Sequence, residues 1–253
     1  MITYSRLVFG FHQAAFNTAI VRQTVEAAGL LDLELHGIYV RDPELMGAAR
    51  LSGLREYRLL GNRVEAIDIG SLGDSIEAAA RRAQELVEAE AAHKKVRSRF
   101  EVLTSAVGEA IQAAAKASDI VVLSQPDSAL ERSSEPYRQY LQAVSQSKSA
   151  VLLLPRRSRP GGSRILALAR TPQDKSIDVA RTIADRVHGL AGVEDLRNPQ
   201  HKSHSALKPS ERERLVIATR DPANNTLFSQ WLDLIGERQA PVLLLPSEPD
   251  TDG

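Results

Sequence analysis

Short apolar runs separated by longer amphipathic stretches make up most of the chain. In the first 155 residues we predict strands over Leu7–Phe11, Leu33–Val40, Phe100–Leu103, Ile120–Leu123 and Val151–Leu154. The last two runs are entirely apolar and are followed by turn-forming residues. This pattern is typical of strands that are buried on both faces of a parallel sheet.

Helical spacing of apolar residues fills the intervals between these strands. We predict helices over Ala14–Ala28 with Gly29 as its end, from a capping box at Asp74 and Glu77, over Val107–Ala117, and from Ser134 onward. In the last of these, Ser134 is a capping hydroxyl and Pro136 lies in the first turn. The predicted buried face of that helix consists of Tyr137, Tyr140, Leu141 and Val144. Alternating strands and helices predict an α/β fold with a mostly parallel sheet.

A segment at about residues 41–70 interrupts this alternation and is too long for a simple loop. Its apolar residues predict extra helical structure, and they are Leu45, Leu51, Leu54, Tyr57 and Leu60. Basic residues are interspersed among them, namely Arg50, Arg55, Arg58 and Arg63. Such a helix would either bind a partner protein or lie on its own domain.

The rest of the chain repeats these elements in a shortened form. Ser5–Val8 recurs as Ser163–Leu166, Ile120–Leu123 corresponds to Leu215–Ala218, and Ser149–Pro155 recurs as Gln239–Pro246. A helix over Ser176–His188, followed by Gly189, separates the first two strands of the repeat. Only about 17 residues lie between the segment Val193–Leu196 and Leu215, against about 80 in the first copy. The second copy is therefore predicted to lack a helix-strand-helix unit and to retain four strands.

These boundaries divide the chain into four parts. A complete α/β domain spans residues 1–155, and a shortened one spans residues 163–247. The linker, residues 156–162, is rich in arginine and ends in Pro-Gly-Gly, which favours a solvated connection. We expect the acidic tail, residues 248–253, to be disordered.

Composition narrows the classes of function. The 32 basic and 32 acidic residues give a net charge of +0, which argues against general affinity for nucleic acid or for acidic membranes. The chain has no cysteine, so disulfides and thiolate metal sites are excluded. Neither a secretory leader nor an apolar run of about 18–20 residues is visible in the sequence, so we expect a cytoplasmic protein without membrane insertion.

The element order and the strand ends together resemble the universal stress protein family. The runs that carry the resemblance are Arg6-Leu7-Val8 at the start and Val151-Leu152-Leu153-Leu154-Pro155 and Val242-Leu243-Leu244-Leu245-Pro246 at the ends of the copies. The resemblance covers most of the chain. It implies tandem Rossmann-like units of the adenine nucleotide alpha hydrolase-like type, with mostly parallel sheets and a shortened second copy. It also implies either a homodimer or a pairing of the two copies through their last strands.

Members of that family that bind ATP have an Asp after the first strand and a glycine-rich loop after the fourth. Glycines let the backbone approach the phosphates, and a helix N-terminus offers free N–H groups to them. In this chain the Asp positions correspond to His12 and Arg170, and residues 124–134 contain no glycine. Pro126 lacks a donor, and the charge of Asp127 would repel phosphate. The resemblance thus implies a member that has lost the nucleotide motif and binds no cofactor.

Two functions follow from this comparison. The first is a non-catalytic stress-response or regulatory protein that acts through contacts with another protein and forms a homo-oligomer. The alternative is a nucleotide-binding or small-anion-binding module with an altered site, formed by His12, Ser124, Gln125, Ser133 and Ser134.

The sequence gives less support to a metal site, a serine nucleophile or enzymatic activity. The spacing of His188, His201 and His204 matches no zinc pattern, so we predict a solvated loop and no metal site. Ser133 and Ser134 lack the Gly-x-Ser-x-Gly context of a nucleophile, and helix capping explains them better. Because no carboxylate pair or activated nucleophile occurs at a recognisable spacing, we do not expect an enzyme.

Overall fold

In the computed structural model, eleven strands and seven helices are assigned within the described residues, which are 4–11, 17–41, 43, 47, 55–58, 63–66, 69–126, 128–158, 162–195, 212–220 and 228–246. The strands are β1 (Arg6–Phe11), β2 (Glu34–Arg41), β3 (Arg55–Arg58), β4 (Arg63–Ala66), β5 (Ser98–Thr104), β6 (Asp119–Ser124), β7 (Ala150–Leu154), β8 (Arg164–Ala169), β9 (Leu190–Asp195), β10 (Glu213–Thr219) and β11 (Val242–Leu245). The helices are α1 (Thr18–Leu31), α2 (Ile69–His93), α3 (Val107–Ala114), α4 (Ala129–Ser133), α5 (Glu135–Gln146), α6 (Lys175–Arg186) and α7 (Phe228–Arg238).

Nine strands form one sheet in the order β5-β2-β1-β6-β7-β11-β10-β8-β9. Every neighbouring pair is parallel except β7 and β11, which are antiparallel with Leu152 opposite Leu243. The predicted fold class, an α/β protein with a mostly parallel Rossmann-like sheet, is confirmed. The five strands on one side of the β7–β11 junction come from the first 155 residues, and the four on the other side come from the rest.

Helices cover both faces of this sheet and create two apolar cores. One core joins α1, α2 and α6 to alternate strand residues such as Leu7, Leu152 and Ile217. The other joins α3, α5 and α7 to the intervening residues, such as Val8 and Val151. Because β6, β7, β8 and β11 are buried on both faces, their sequences are nearly continuous runs of Val, Leu, Ile and Ala.

On each side of the junction, two neighbouring strands begin at residues of opposite charge. Arg6 at the start of β1 lies opposite Asp119 at the start of β6, and the two form an ion pair of 2.9 Å. Arg164 at the start of β8 lies opposite Glu213 at the start of β10. Here Glu213 pairs at 2.8 Å with Arg238 of α7 instead, and Arg164 faces Glu194.

Three predicted helix boundaries were wrong. Helix α3 was predicted to reach Ala117 but ends at Ala114, because Ala115 is in the extended conformation. Helix α1 continues past Gly29 to Leu31, because Asp32 takes the left-handed conformation and its N–H bonds to the carbonyls of Ala28 and Gly29. Its predicted start, residues 14–16, lies outside the described residues. Helix α2 begins at Ile69, so Asp74 lies inside the helix and is not its cap. Apolar residues at helical spacing line the buried face of α2, with Ile76, Ala80, Ala83 and Val87 all buried.

The helix predicted near Tyr57 was also wrong. Residues 55–58 and 63–66 form two antiparallel strands, β3 and β4, with Tyr57 opposite Val64 in the register. The aromatic Tyr57 and the β-branched Val64 in these short segments favour strands over a helix. The remaining residues of the predicted helix, Leu45, Leu51, Leu54 and Leu60, lie outside the described residues.

Candidate functional site

The strand order reverses between β1 and β6, and this point defines the candidate site. Ligands of open α/β sheets bind beyond the carboxyl ends of the two strands at such a point. Ser124 is the half-buried last residue of β6, and Gln125 and Pro126 follow it. His12 would follow β1, but it lies outside the described residues, as does Asp127. Three of the five predicted site residues, Gln125, Ser133 and Ser134, are engaged in contacts within the protein.

Gln125 ties three parts of the chain together. Its backbone N–H donates to the carbonyl of Leu154 at 2.9 Å, which extends the pairing of β6 with β7. Its side-chain oxygen accepts from the backbone N–H of Arg156 at 3.2 Å, and its side-chain nitrogen donates to the carbonyl of Leu232 in α7 at 3.3 Å. Both ends of the amide therefore have protein partners at hydrogen-bond distance.

The serines after β6 serve the two helices that follow. Ser128 caps α4 by accepting from the N–H of Glu131 at 3.1 Å. Ser133 donates to the carbonyl of Leu130 at 3.0 Å, within the same helix. Ser134 caps α5, where it accepts from the N–H of Tyr137 and donates to the carbonyl of Glu131 at 2.7 Å. The predicted capping role of Ser134 and the helix that it opens are confirmed.

Side chains pack closely beneath the end of β1. A Cβ placed on Gly10 would lie 2.8 Å from Cδ1 of Ile111 and 3.6 Å from the hydroxyl of Tyr140. Tyr140 is buried and donates its hydroxyl to the carbonyl of Val122 on β6. Burial raises the pKa of this phenol well above its usual value, so it stays protonated and keeps that hydrogen bond. This side of the switch point is occupied by α3 and α5.

The equivalent point on the other side of the junction lies between β8 and β10, and a carboxylate occupies it. Asp174 accepts hydrogen bonds from the backbone N–H groups of Arg170 and Ser176, both at 3.0 Å, and from the hydroxyl of Thr219 at 2.8 Å. Burial alone would raise the pKa of Asp174, but these hydrogen bonds outweigh it and hold the pKa below its usual value. Asp174 was not predicted from the sequence, although an Asp directly before a helix is a typical N-cap.

Metal binding finds no support in the described ranges, where no cluster of three or more His, Asp or Glu side chains could hold an ion. His188 adopts a left-handed turn after α6, whereas His201 and His204 lie outside the described residues. Over those same ranges, no helix combines the length and apolar character needed to cross a bilayer.

Comparison with known proteins identifies similar folds among solved structures. No protein-family model and no curated protein matches the sequence. A universal stress protein from Archaeoglobus fulgidus DSM 4304 is similar in structure, with a TM-score of 0.56 and 11% identity over 99% of this chain and 100% of its own. A putative universal stress protein from Pseudomonas aeruginosa UCBPP-PA14 gives a TM-score of 0.46 at 12% identity, over 96% of this chain and 93% of its own. The first likeness establishes the fold.

Proposed function

We propose that this chain is a non-catalytic stress-response or regulatory protein of the universal stress protein type, which acts through contacts with another protein and binds no nucleotide. The proposal rests on the shared fold together with the state of the switch point. A nucleotide site at this point needs free backbone donors and room for phosphates. Here Gln125, Ser133 and Ser134, which follow β6, form hydrogen bonds within the protein.

The two side-chain hydrogen bonds of Gln125 are the main support for the loss of nucleotide binding. The amide bridges the segment after β7 and helix α7, so it connects residues on both sides of the β7–β11 junction. A ligand that recruited this amide would have to break both hydrogen bonds, each of which contributes about 1 kcal/mol to stability. The hydroxyls of Ser133 and Ser134 would likewise have to leave the carbonyls of α4.

We also propose that the chain is a tandem duplication whose copies pair within one molecule. The strand order on one side of the junction, β2-β1-β6-β7, corresponds to β9-β8-β10-β11 on the other. The charged residues at the strand starts support the same correspondence, since in the strand register Arg6 is opposite Asp119 and Arg164 is opposite Glu213. Pairing of β7 with β11 then uses the last strand of each copy, so a second chain is not needed for this contact.

The experiment that tests the loss of nucleotide binding begins with protein purified without added nucleotide. The protein is denatured, the released material is assayed for adenine nucleotides, and a second sample is titrated calorimetrically with ATP and magnesium. We expect no released nucleotide and no heat of binding at millimolar ATP. Stoichiometric nucleotide would contradict the proposal and would favour the altered nucleotide site instead.

A matched pair of variants locates any binding that is found. Ser133 is exposed, and so is Arg138 on the adjoining helix. If Ser133→Ala abolishes binding and Arg138→Gln does not, the altered site is at the switch point. If neither variant changes the binding, the nucleotide occupies another part of the molecule.

A further inference from the structure

A cavity of about 580 Å³ lies between α6 and the C-terminal end of α1, on the face of the sheet that α1 and α6 share. We call it the inter-helix groove. Its floor is formed by Ile120 of β6 together with Leu243 and Leu245 of β11. The groove therefore spans the β7–β11 junction. Its volume is typical of small-molecule binding sites, which often lie between domains.

One face of α6 forms a wall of the groove. The residues that α6 contributes recur at helical spacing, and they are Lys175, Asp178, Val179, Thr182, Ile183 and Arg186. Val179 and Ile183 face the floor, whereas Asp178, Thr182 and Arg186 are exposed at the rim. The opposite wall is formed by Tyr4, Leu31, Asp32 and Leu33. The groove thus has an apolar floor and a polar rim.

The charged side chains that line the groove are two basic ones, Lys175 and Arg186, and two acidic ones, Asp32 and Asp178. Arg186 donates to the carbonyl of Leu31 at 2.7 Å. Behind Tyr4, the guanidinium of Arg220 donates to carbonyls of residues 144, 147 and 149 and acts electrostatically on the phenol. Among the described residues, no carboxylate forms an ion pair with either arginine. Asp178 lies 3.9 Å from Arg181, and Lys175 donates to the carbonyl of Pro246, so Arg186 is the exposed guanidinium that lines the groove.

Tyr4 adds a hydrogen-bond donor to this wall. Burial raises the pKa of its phenol to about 12, with Arg220 acting in the opposite direction, so the hydroxyl keeps its proton at neutral pH. The protonated phenol on one wall and the guanidinium of Arg186 at the rim are both donors that suit an anionic acceptor.

We propose that the inter-helix groove binds a small amphipathic anion, such as an aliphatic carboxylate or an aromatic sulfonate. Its apolar body lies on Ile120, Leu243 and Leu245, and its charged group lies at the rim beside Arg186. This site is separate from the switch point, because Ile120 and Ser124 are at opposite ends of β6, roughly 13 Å apart at about 3.3 Å per residue. Ligand binding in the groove is therefore independent of nucleotide binding at the switch point.

The test uses the full chain and the fluorescent probe anilinonaphthalene sulfonate, with decanoate and the uncharged decanol as competitors. We expect one saturable site on the folded protein, from which both competitors displace the probe and decanoate does so more effectively. In Arg186→Gln, the affinity for decanoate should fall about fivefold, as expected for one partly exposed charge pair, while that for decanol stays the same.

A second variant tests the location through volume. Thr182 is exposed at the rim, so Thr182→Trp should fill the groove without disturbing the core and should remove the saturable binding. Gln142→Trp is the matched control, because Gln142 is exposed on α5, on the other face of the sheet. Circular dichroism and thermal unfolding establish that both variants fold. Absence of a saturable site in the original protein, or unchanged binding in Thr182→Trp, would overturn the inference.

Discussion

The carboxylate of Asp119, at the start of β6, accepts four hydrogen bonds. It is buried and accepts two hydrogen bonds from the guanidinium of Arg6, at 2.9 and 3.0 Å. The hydroxyl of Ser5 and the backbone N–H of Lys116 add two more, at 3.1 and 2.8 Å. Arg6 in turn lies 3.2 Å from Nδ1 of His36. This network joins β1, β2 and β6 near the N-terminal ends of these strands.

Replacing this carboxylate by an amide would leave the Arg6 charge without its partner. We expect Asp119→Asn to lower the free energy of unfolding at pH 7 by about 3 kcal/mol, the order found when one member of a largely buried ion pair is removed. The measurement is urea denaturation. As a control, Glu135→Gln removes the exposed pair between Glu135 and Arg138, and its cost should stay within about 1 kcal/mol.

The dependence on pH provides a second check of the same variant. Burial alone would raise the pKa of Asp119, but the bonds from Arg6 and Lys116 outweigh it and hold the pKa below its usual value. Because the folded pKa is depressed, the stabilisation is present above the unfolded pKa, about 4, and is lost as the pH falls through the folded value. The difference between wild type and Asp119→Asn should therefore shrink below about pH 4. A constant difference would mean that the effect is not electrostatic.

At the scale of elements, Asp174 fixes the position of the N-terminus of α6 relative to the ends of β8 and β10. Its carboxylate caps the helix through Ser176, closes the preceding turn through Arg170 and reaches the end of β10 through Thr219. A single carboxylate thus sets the position of a helix relative to two strands. The same helix forms one wall of the inter-helix groove, so the cap also bears on the shape of that groove.

Removal of this cap should be more costly than removal of a cap on the surface. We expect Asp174→Ala to lower the free energy of unfolding by about 2 kcal/mol, at the upper end for N-caps, because three hydrogen bonds are lost together. Ser128→Ala, at the exposed start of the short helix α4, is the control and should cost about 0.5 kcal/mol. Denaturation with guanidinium chloride compares the two, and equal costs would argue against the wider role of Asp174.

At the scale of the whole molecule, the antiparallel pair of β7 and β11 joins the two parts of the sheet. All residues of both strands are buried, and Leu153 lies opposite Val242. Strands whose backbone groups are paired on both sides leave no edge for another chain. If the pairing is within one molecule, as we propose, the protein needs no partner to complete its sheet.

A cross-linking experiment can establish whether this pairing is within one chain. The sequence contains no cysteine, so Leu153→Cys with Val242→Cys introduces one defined pair. Opposite residues of antiparallel strands have Cα atoms about 4.5–5.5 Å apart, which suits a disulfide. After oxidation we expect a cross-linked monomer of 27.6 kDa in denaturing electrophoresis without reductant. Disulfide-linked dimers would show instead that the strands pair between chains.

The interior strands and the capping serine could be predicted, whereas the contacts of Gln125 and three of the helix boundaries could not. Ser134 was recognisable because a hydroxyl before Glu-Pro is a local signal that depends on the next few residues alone. The partners of Gln125 were not, because Arg156 and Leu232 are distant in sequence and its amide has no preferred partner before the chain folds. The end of α1 was missed because Asp32, and not the nearby Gly29, takes the left-handed conformation.

The sequence by itself determined the alternation of strands and helices and the strands buried on both faces, because these follow from local periodicity and from the exclusion of apolar side chains from water. It also showed that the glycines of a phosphate loop are missing from residues 124–134. Only the tertiary structure decided the order of the nine strands, the antiparallel junction and the groove between α1 and α6. Those features depend on contacts between residues far apart in the chain, which no local pattern records.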